Sequence, residues 1–147
     1  MDGARSTDDG GYWYHQPSYY SRRNYWIGGP SRPAATGVAL LSRELAGRHG
    51  DEHSRRAGDF LLGYLRQGRF WSDGHLEYAT YYASQGMFQL GGDYWEKFGA
   101  ALYSFLLPRQ TPEGYWPAAG GHGTVYATSM YVLALTVSYR QLPIYQR

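Results

Sequence analysis

The stretch Ser72-Asp73-Gly74-His75-Leu76-Glu77-Tyr78-Ala79-Thr80-Tyr81-Tyr82 carries the densest chemistry in the chain. Asp73, His75 and Glu77 alternate at the mouth of a helical pattern. A histidine flanked by carboxylates can ligate a metal or exchange protons with a substrate, so these three are the candidate catalytic residues. A structural reading competes with the chemical one: Ser72 or Asp73 caps the helix and Glu77 complements its dipole. His49 and His53 have the i, i+4 spacing of zinc-binding helices, but Gly50-Asp51 breaks the helix between them and points instead to a solvated loop.

The tyrosines Tyr78, Tyr81, Tyr82, Tyr126 and Tyr131 offer a second kind of chemistry. Their ring faces attract cations, and with His122 they form a candidate cavity lining; packing between helices explains the same stripe without a ligand. Gly120-Gly121-His122-Gly123-Thr124 precedes a helix as an anion-binding loop does, or as a plain turn does. The chain contains no cysteine, no nucleophile-elbow motif and no phosphate or dinucleotide loop. No metal and no cofactor is expected, and an enzymatic role is left open, with the motifs weighing against it.

Five helical patterns must position these residues. The first covers 34–46, with Pro33 in its first turn and Gly47 closing it. The second covers 52–66 with an apolar stripe at Ala57, Phe60, Leu61, Tyr64 and Leu65, and Asp51 as N-cap. The third covers 76–90 and ends at Gly91-Gly92. The fourth, 94–107, repeats the stripe at Phe98, Ala101, Leu102, Phe105 and Leu106, with a capping box predicted from Asp93 and Glu96 and a stop at Pro108. The fifth, 125–139, is apolar nearly all round, as a helix enclosed by others must be. Helices one, three and five lack a charged face and helices two and four have one. Two layers follow, an inner and an outer. The fold class is all-α.

Net charge is +2 without a basic face, so nucleic-acid binding is not expected. No apolar run approaches a membrane span and the first residues lack the apolar core of a signal peptide; the compartment is not assigned.

The chain also repeats itself. Thr36, Thr80 and Thr128, 44 and 48 residues apart, each follow an alanine early in an inner helix. Gly11-Tyr12-Trp13 and Gly114-Tyr115-Trp116 write one turn twice, each behind an acidic residue, and Gln67-Gly68-Arg69-Phe70-Trp71 is a shortened third copy. A period near 45 with two helices per unit is an array of helical hairpins, with the tryptophans Trp13, Trp71 and Trp116 expected to wedge between neighbours.

At these residues the chain resembles the terpenoid cyclase and protein prenyltransferase repeat family, and specifically squalene-cyclase-like members. Gln110-Thr111-Pro112-Glu113-Gly114-Tyr115-Trp116 is similar to that family's Gln-x-x-x-Gly-x-Trp turn, the QW motif. Gln110, Gly114 and Trp116, with Gly11 and Trp13 of the Gln-less copy, are thereby structural turn residues. The resemblance implies an α/α toroid, of which about two and a half hairpins are present as an open arc: residues 1–30 as an aromatic segment ending a preceding unit, and 31–147 as the hairpin domain. It also implies a place for catalytic acids, a zinc-binding set and an Asp-rich magnesium cluster, and this stretch carries none of the three. The expected function is a non-catalytic binding or scaffold module. The alternatives are a terpenoid or prenyl-lipid enzyme whose acids lie outside this chain, and a glycan-active helical barrel using Asp73 and Glu77. An open arc exposes apolar surface, so self-association or pairing with another toroid segment is expected, with a hydrophobic small molecule as a possible ligand.

Overall fold

The computed structural model describes residues 9–13 and 31–139. Five α-helices account for most of them: α1 (Pro33–Leu45), α2 (Glu52–Arg66), α3 (Leu76–Leu90), α4 (Gly92–Leu106) and α5 (Thr124–Leu135). Short 3-10 turns follow α2, α4 and α5, and the described residues contain no β-sheet. The chain is all-helical, as its pattern requires. The expected segment 1–30 is described only at 9–13, and residues 140–147 lie outside the described residues.

The helices form two rows. α3 lies between α1 and α5, while α2 and α4 pack on one another and on the flank of that row. Small residues set the closeness of the first row. A Cβ built on Gly37 of α1 would lie 2.7 Å from the Ala83 backbone nitrogen of α3, and one on Gly86 would lie 2.9 Å from Leu40. Residues 37 and 40 thus meet 83 and 86 in the same order, so α1 and α3 run parallel. The side-chain amide of Gln85 donates to the Leu133 carbonyl at 3.3 Å and joins α3 to α5.

The apolar stripes face inward as read. Ala57, Phe60 and Leu61 of α2 and Phe98, Leu102 and Leu106 of α4 are buried, with Tyr64, Leu65, Ala101 and Phe105 half-buried at the edges. Each fully buried leucine stabilises the fold by roughly 1.5–3 kcal/mol relative to exposure. The opposite faces carry exposed Glu52, Arg55 and Asp59 on α2 and Glu96 and Lys97 on α4.

Two expectations need correction. α4 begins two residues earlier than read, with Gly91 as an N-cap that has no side chain to accept from the first-turn amides; Asp93 instead pairs with Lys97 one turn on, at 2.8 Å. Burial of α5 is one-sided: Ala127, Tyr131, Ala134 and Leu135 are buried but Val125 is 83% exposed and Val132 42%. α1 lacks a charged face, as read, because its two charged residues, Arg43 and Glu44, are both buried. Asp51, the N-cap of α2, accepts from the Ser54 amide at 2.8 Å and from the Arg43 guanidinium. Glu44 accepts from the Gly50 amide at 3.2 Å and faces the His49 ring at 3.1 Å. The loop between α1 and α2 is therefore tied to two charged groups of α1.

Candidate functional site

The repeated turn is a hydrogen-bonded device. The Tyr12 backbone N–H donates to the Thr36 hydroxyl at 2.9 Å, and the Trp116 N–H donates to the Thr128 hydroxyl at 3.1 Å. Thr36 and Thr128 thus each receive the main chain that precedes their helix. The two copies are in register one residue away from the Gly-Tyr-Trp match. Gly10 and Gly114 both have positive φ, 79° and 91°, and the buried aromatic lies two residues on: Tyr12 at 3% exposure and Trp116 at 4%. Gly68, also at positive φ, is followed in the same way by fully buried Phe70.

The expected wedges at Trp13 and Trp71 are therefore half-buried neighbours, and Tyr12 and Phe70 hold the buried place. The physical reason is that the left-handed glycine, not the tryptophan, fixes where the chain turns. Trp71 stacks on Phe105 at 4.0 Å with an interplanar angle of 4°. Gly11 is needed for space: a Cβ there would lie 2.4 Å from that of Ser31. In the last copy the Gln110 side chain donates to the Gly114 carbonyl at 2.9 Å, and the Trp116 indole N–H donates to the Leu106 carbonyl at 2.8 Å, holding the end of α4 to the start of α5.

Beside this turn the N-terminal ends of α3 and α5 enclose a cleft of about 390 Å³. Gly74, His75, Glu77 and Tyr78 come from the α3 side; Gly120, Gly121, His122 and Tyr126 come from the α5 side. Five of the candidate residues meet here: His75, Glu77, Tyr78, His122 and Tyr126. Asp73 does not join them. Its carboxylate accepts from the His75 amide at 2.8 Å, and it lines a second cleft of about 300 Å³ together with Arg32, Tyr64 and Arg69. Tyr82 packs on Tyr78 at 4.5 Å and Tyr81 on Tyr82 at 4.8 Å, as an aromatic ladder behind the lining.

The chain matches no family model, no curated protein and no solved structure.

The cleft is organised around Glu77. Its side chain is only 2% exposed, and its Oε1 accepts from the amides of Ala119 at 2.6 Å and Gly120 at 3.2 Å. The chain's own carboxylate is thus held at the entry to the glycine loop, by the amides of residues 119 and 120. Glu77 therefore does more than complement the α3 dipole: it ties the first turn of α3 to the loop entering α5. Burial, the Glu77 charge and Tyr82 raise the Tyr126 phenol above its ordinary range; burial and Glu77 raise Tyr131 further. Both therefore keep their protons at neutral pH. The His122 ring lies 4.9 Å from that of Tyr126, at the exposed rim. Among the described residues no three His, Cys, Asp or Glu side chains converge as a metal set would. His49 lies in the loop before α2 and is turned to Glu44, apart from this cleft.

Sequence reasoning missed the Arg43–Asp51 and Glu44–His49 pairs and the strut formed by Glu77. A signal for the first was present: Arg43 and Glu44 fall three positions after Leu40 and Leu41, on the continuation of the buried stripe.

Proposed function

We propose that this chain is a non-catalytic binding or scaffold module built on cyclase- and prenyltransferase-like hairpin repeats, with the cleft between α3 and α5 as its ligand site. The observation that carries this reading is the state of Glu77. Among the described lining residues Glu77 is the one carboxylate; two backbone amides hold it, as a structural strut is held, and no second described carboxylate faces it. Glycoside hydrolysis generally needs two carboxylates flanking one bond. Asp73, the partner that reading requires, lines the other cleft. The recurrence of the turn-to-threonine hydrogen bond in two units supports the repeat. Exposed Val125 and Val132 on α5 support pairing with a second copy or another repeat segment. No helix of the described residues is long and apolar enough to cross a membrane.

Ligand-observed NMR against prenyl alcohols, prenyl diphosphates and oligosaccharides, run alongside product analysis, tests the reading. Saturable binding of one class with no turnover is the expected result. Release of diphosphate, a cyclised hydrocarbon or a shortened glycan would replace the module with an enzyme.

A further inference from the structure

We infer that the α3–α5 cleft takes an organic ammonium ion, a primary or secondary amine carrying an apolar or aromatic substituent. This rests on the reading of the cleft as a ligand site and adds the chemical class. Both amide donors of loop 119–120 go to Oε1 of Glu77; Oε2 receives no hydrogen bond from any described residue, although the side chain is 98% buried by its 2% exposure. Unlike the buried, unpartnered oxygens of Thr80 and Gln85, Oε2 keeps a surface open to the cleft that Glu77 lines, so a donor from outside the chain reaches it there in place of water.

The walls select what brings that donor. None of the described lining residues is Lys or Arg, so among them no cation of that type balances Glu77. Tyr78 and Tyr126 supply ring faces, which attract an alkylammonium and shield its apolar part from water. The Tyr126 proton is held more tightly than usual by burial and by Glu77. The volume of about 390 Å³ lies at the small end of ligand pockets, which limits the guest to a small molecule or one amine-bearing side chain. An ammonium N–H donating to Oε2 would complete the carboxylate and add a charge-assisted hydrogen bond.

Three probes of nearly one shape decide the matter: phenethylammonium chloride, 2-phenylethanol and 3-phenylpropionate, titrated by calorimetry and by the ring resonances of His122 and Tyr126. Phenethylammonium should bind at least about tenfold more tightly than the alcohol, the value of a charged hydrogen bond, and the carboxylate should not bind. Glu77→Gln, which keeps an oxygen for the loop amides, should bring the ammonium down to the alcohol's affinity. The wild-type comparison stands by itself should that variant fail to fold. Equal or weaker binding of the ammonium overturns the inference; if the alcohol or a prenyl ligand still shifts His122 and Tyr126, the binding-cleft reading survives it. An ammonium affinity unchanged in a folded Glu77→Gln protein also overturns it.

Discussion

Thr36 and Tyr12 are joined by a buried hydrogen bond of 2.9 Å across 24 positions, and Thr128 makes the equivalent bond to Trp116 at 3.1 Å. The third threonine breaks the pattern. Thr80 has a buried hydroxyl without a partner: Phe70 is ten positions upstream and wound into a 3-10 turn, whereas Trp116 is twelve positions ahead of Thr128 and outside any helix.

Valine at the three positions should therefore give unlike results. Thr36→Val leaves the Tyr12 amide buried without an acceptor and should cost roughly 1–3 kcal/mol; Thr128→Val should cost about 1 kcal/mol. Thr80→Val removes an orphaned hydroxyl and should be neutral or stabilising. Urea unfolding of the three variants checks this, and equal losses at all three sites would contradict it.

Two glycines in helices should also respond in opposite senses. Gly37→Ala drives a methyl group to within 2.7 Å of the α3 backbone and should destabilise by roughly 1–3 kcal/mol or more, because the backbone cannot step aside. Gly63 of α2 has open space around it, so Gly63→Ala should stabilise by about 0.5–1 kcal/mol through the loss of backbone freedom in the unfolded chain. Melting temperatures would separate them.

Acid should weaken the α1–α2 corner. Burial alone would raise the Asp51 carboxyl, but the Ser54 amide and the Arg43 guanidinium outweigh it and hold the carboxyl below its ordinary value. A depressed folded value means that the stabilisation is complete above the unfolded aspartate value, near 3.9, and is lost as pH falls through the folded one. Asp51→Asn keeps a capping oxygen and should flatten stability in that acid window, while lowering it at neutral pH by roughly 1–3 kcal/mol, since buried Arg43 loses its counter-charge. Chemical denaturation between neutrality and strong acid measures both effects.

Alkali should act through the tyrosines beside Glu77. Tyr131 and Tyr126 have folded values raised by burial first and by Glu77 second. Their contribution is complete below the unfolded tyrosine value, near 10, and declines as pH rises above it, because the unfolded chain ionises first. Tyr131→Phe should reduce the loss of stability above that pH. An unchanged alkaline limb would contradict the placement of Tyr131 in the core.

The helices themselves were legible in the residues. The bounds 52–66 and 76–90, the Asp51 cap and the inward stripes of α2 and α4 follow from local periodicity, capping and glycine placement, which act within a few residues. So does the existence of a repeated turn. The register of that turn was not legible, because Tyr12 and Trp116 are equivalent only by their distance from a positive-φ glycine, and identity of letters drew Trp13 into the match. The role of Glu77 was decided by tertiary structure alone: its amide donors lie 42 and 43 positions away, and nothing local distinguishes a carboxylate that complements a helix dipole from one that ties two helices together. The same holds for Arg43 and Glu44, charged residues on an apolar stripe that only the folding of loop 46–51 over α1 could satisfy. Local sequence determined where the helices lie; long-range contact decided which of their polar groups would be buried, paired or left facing a cleft.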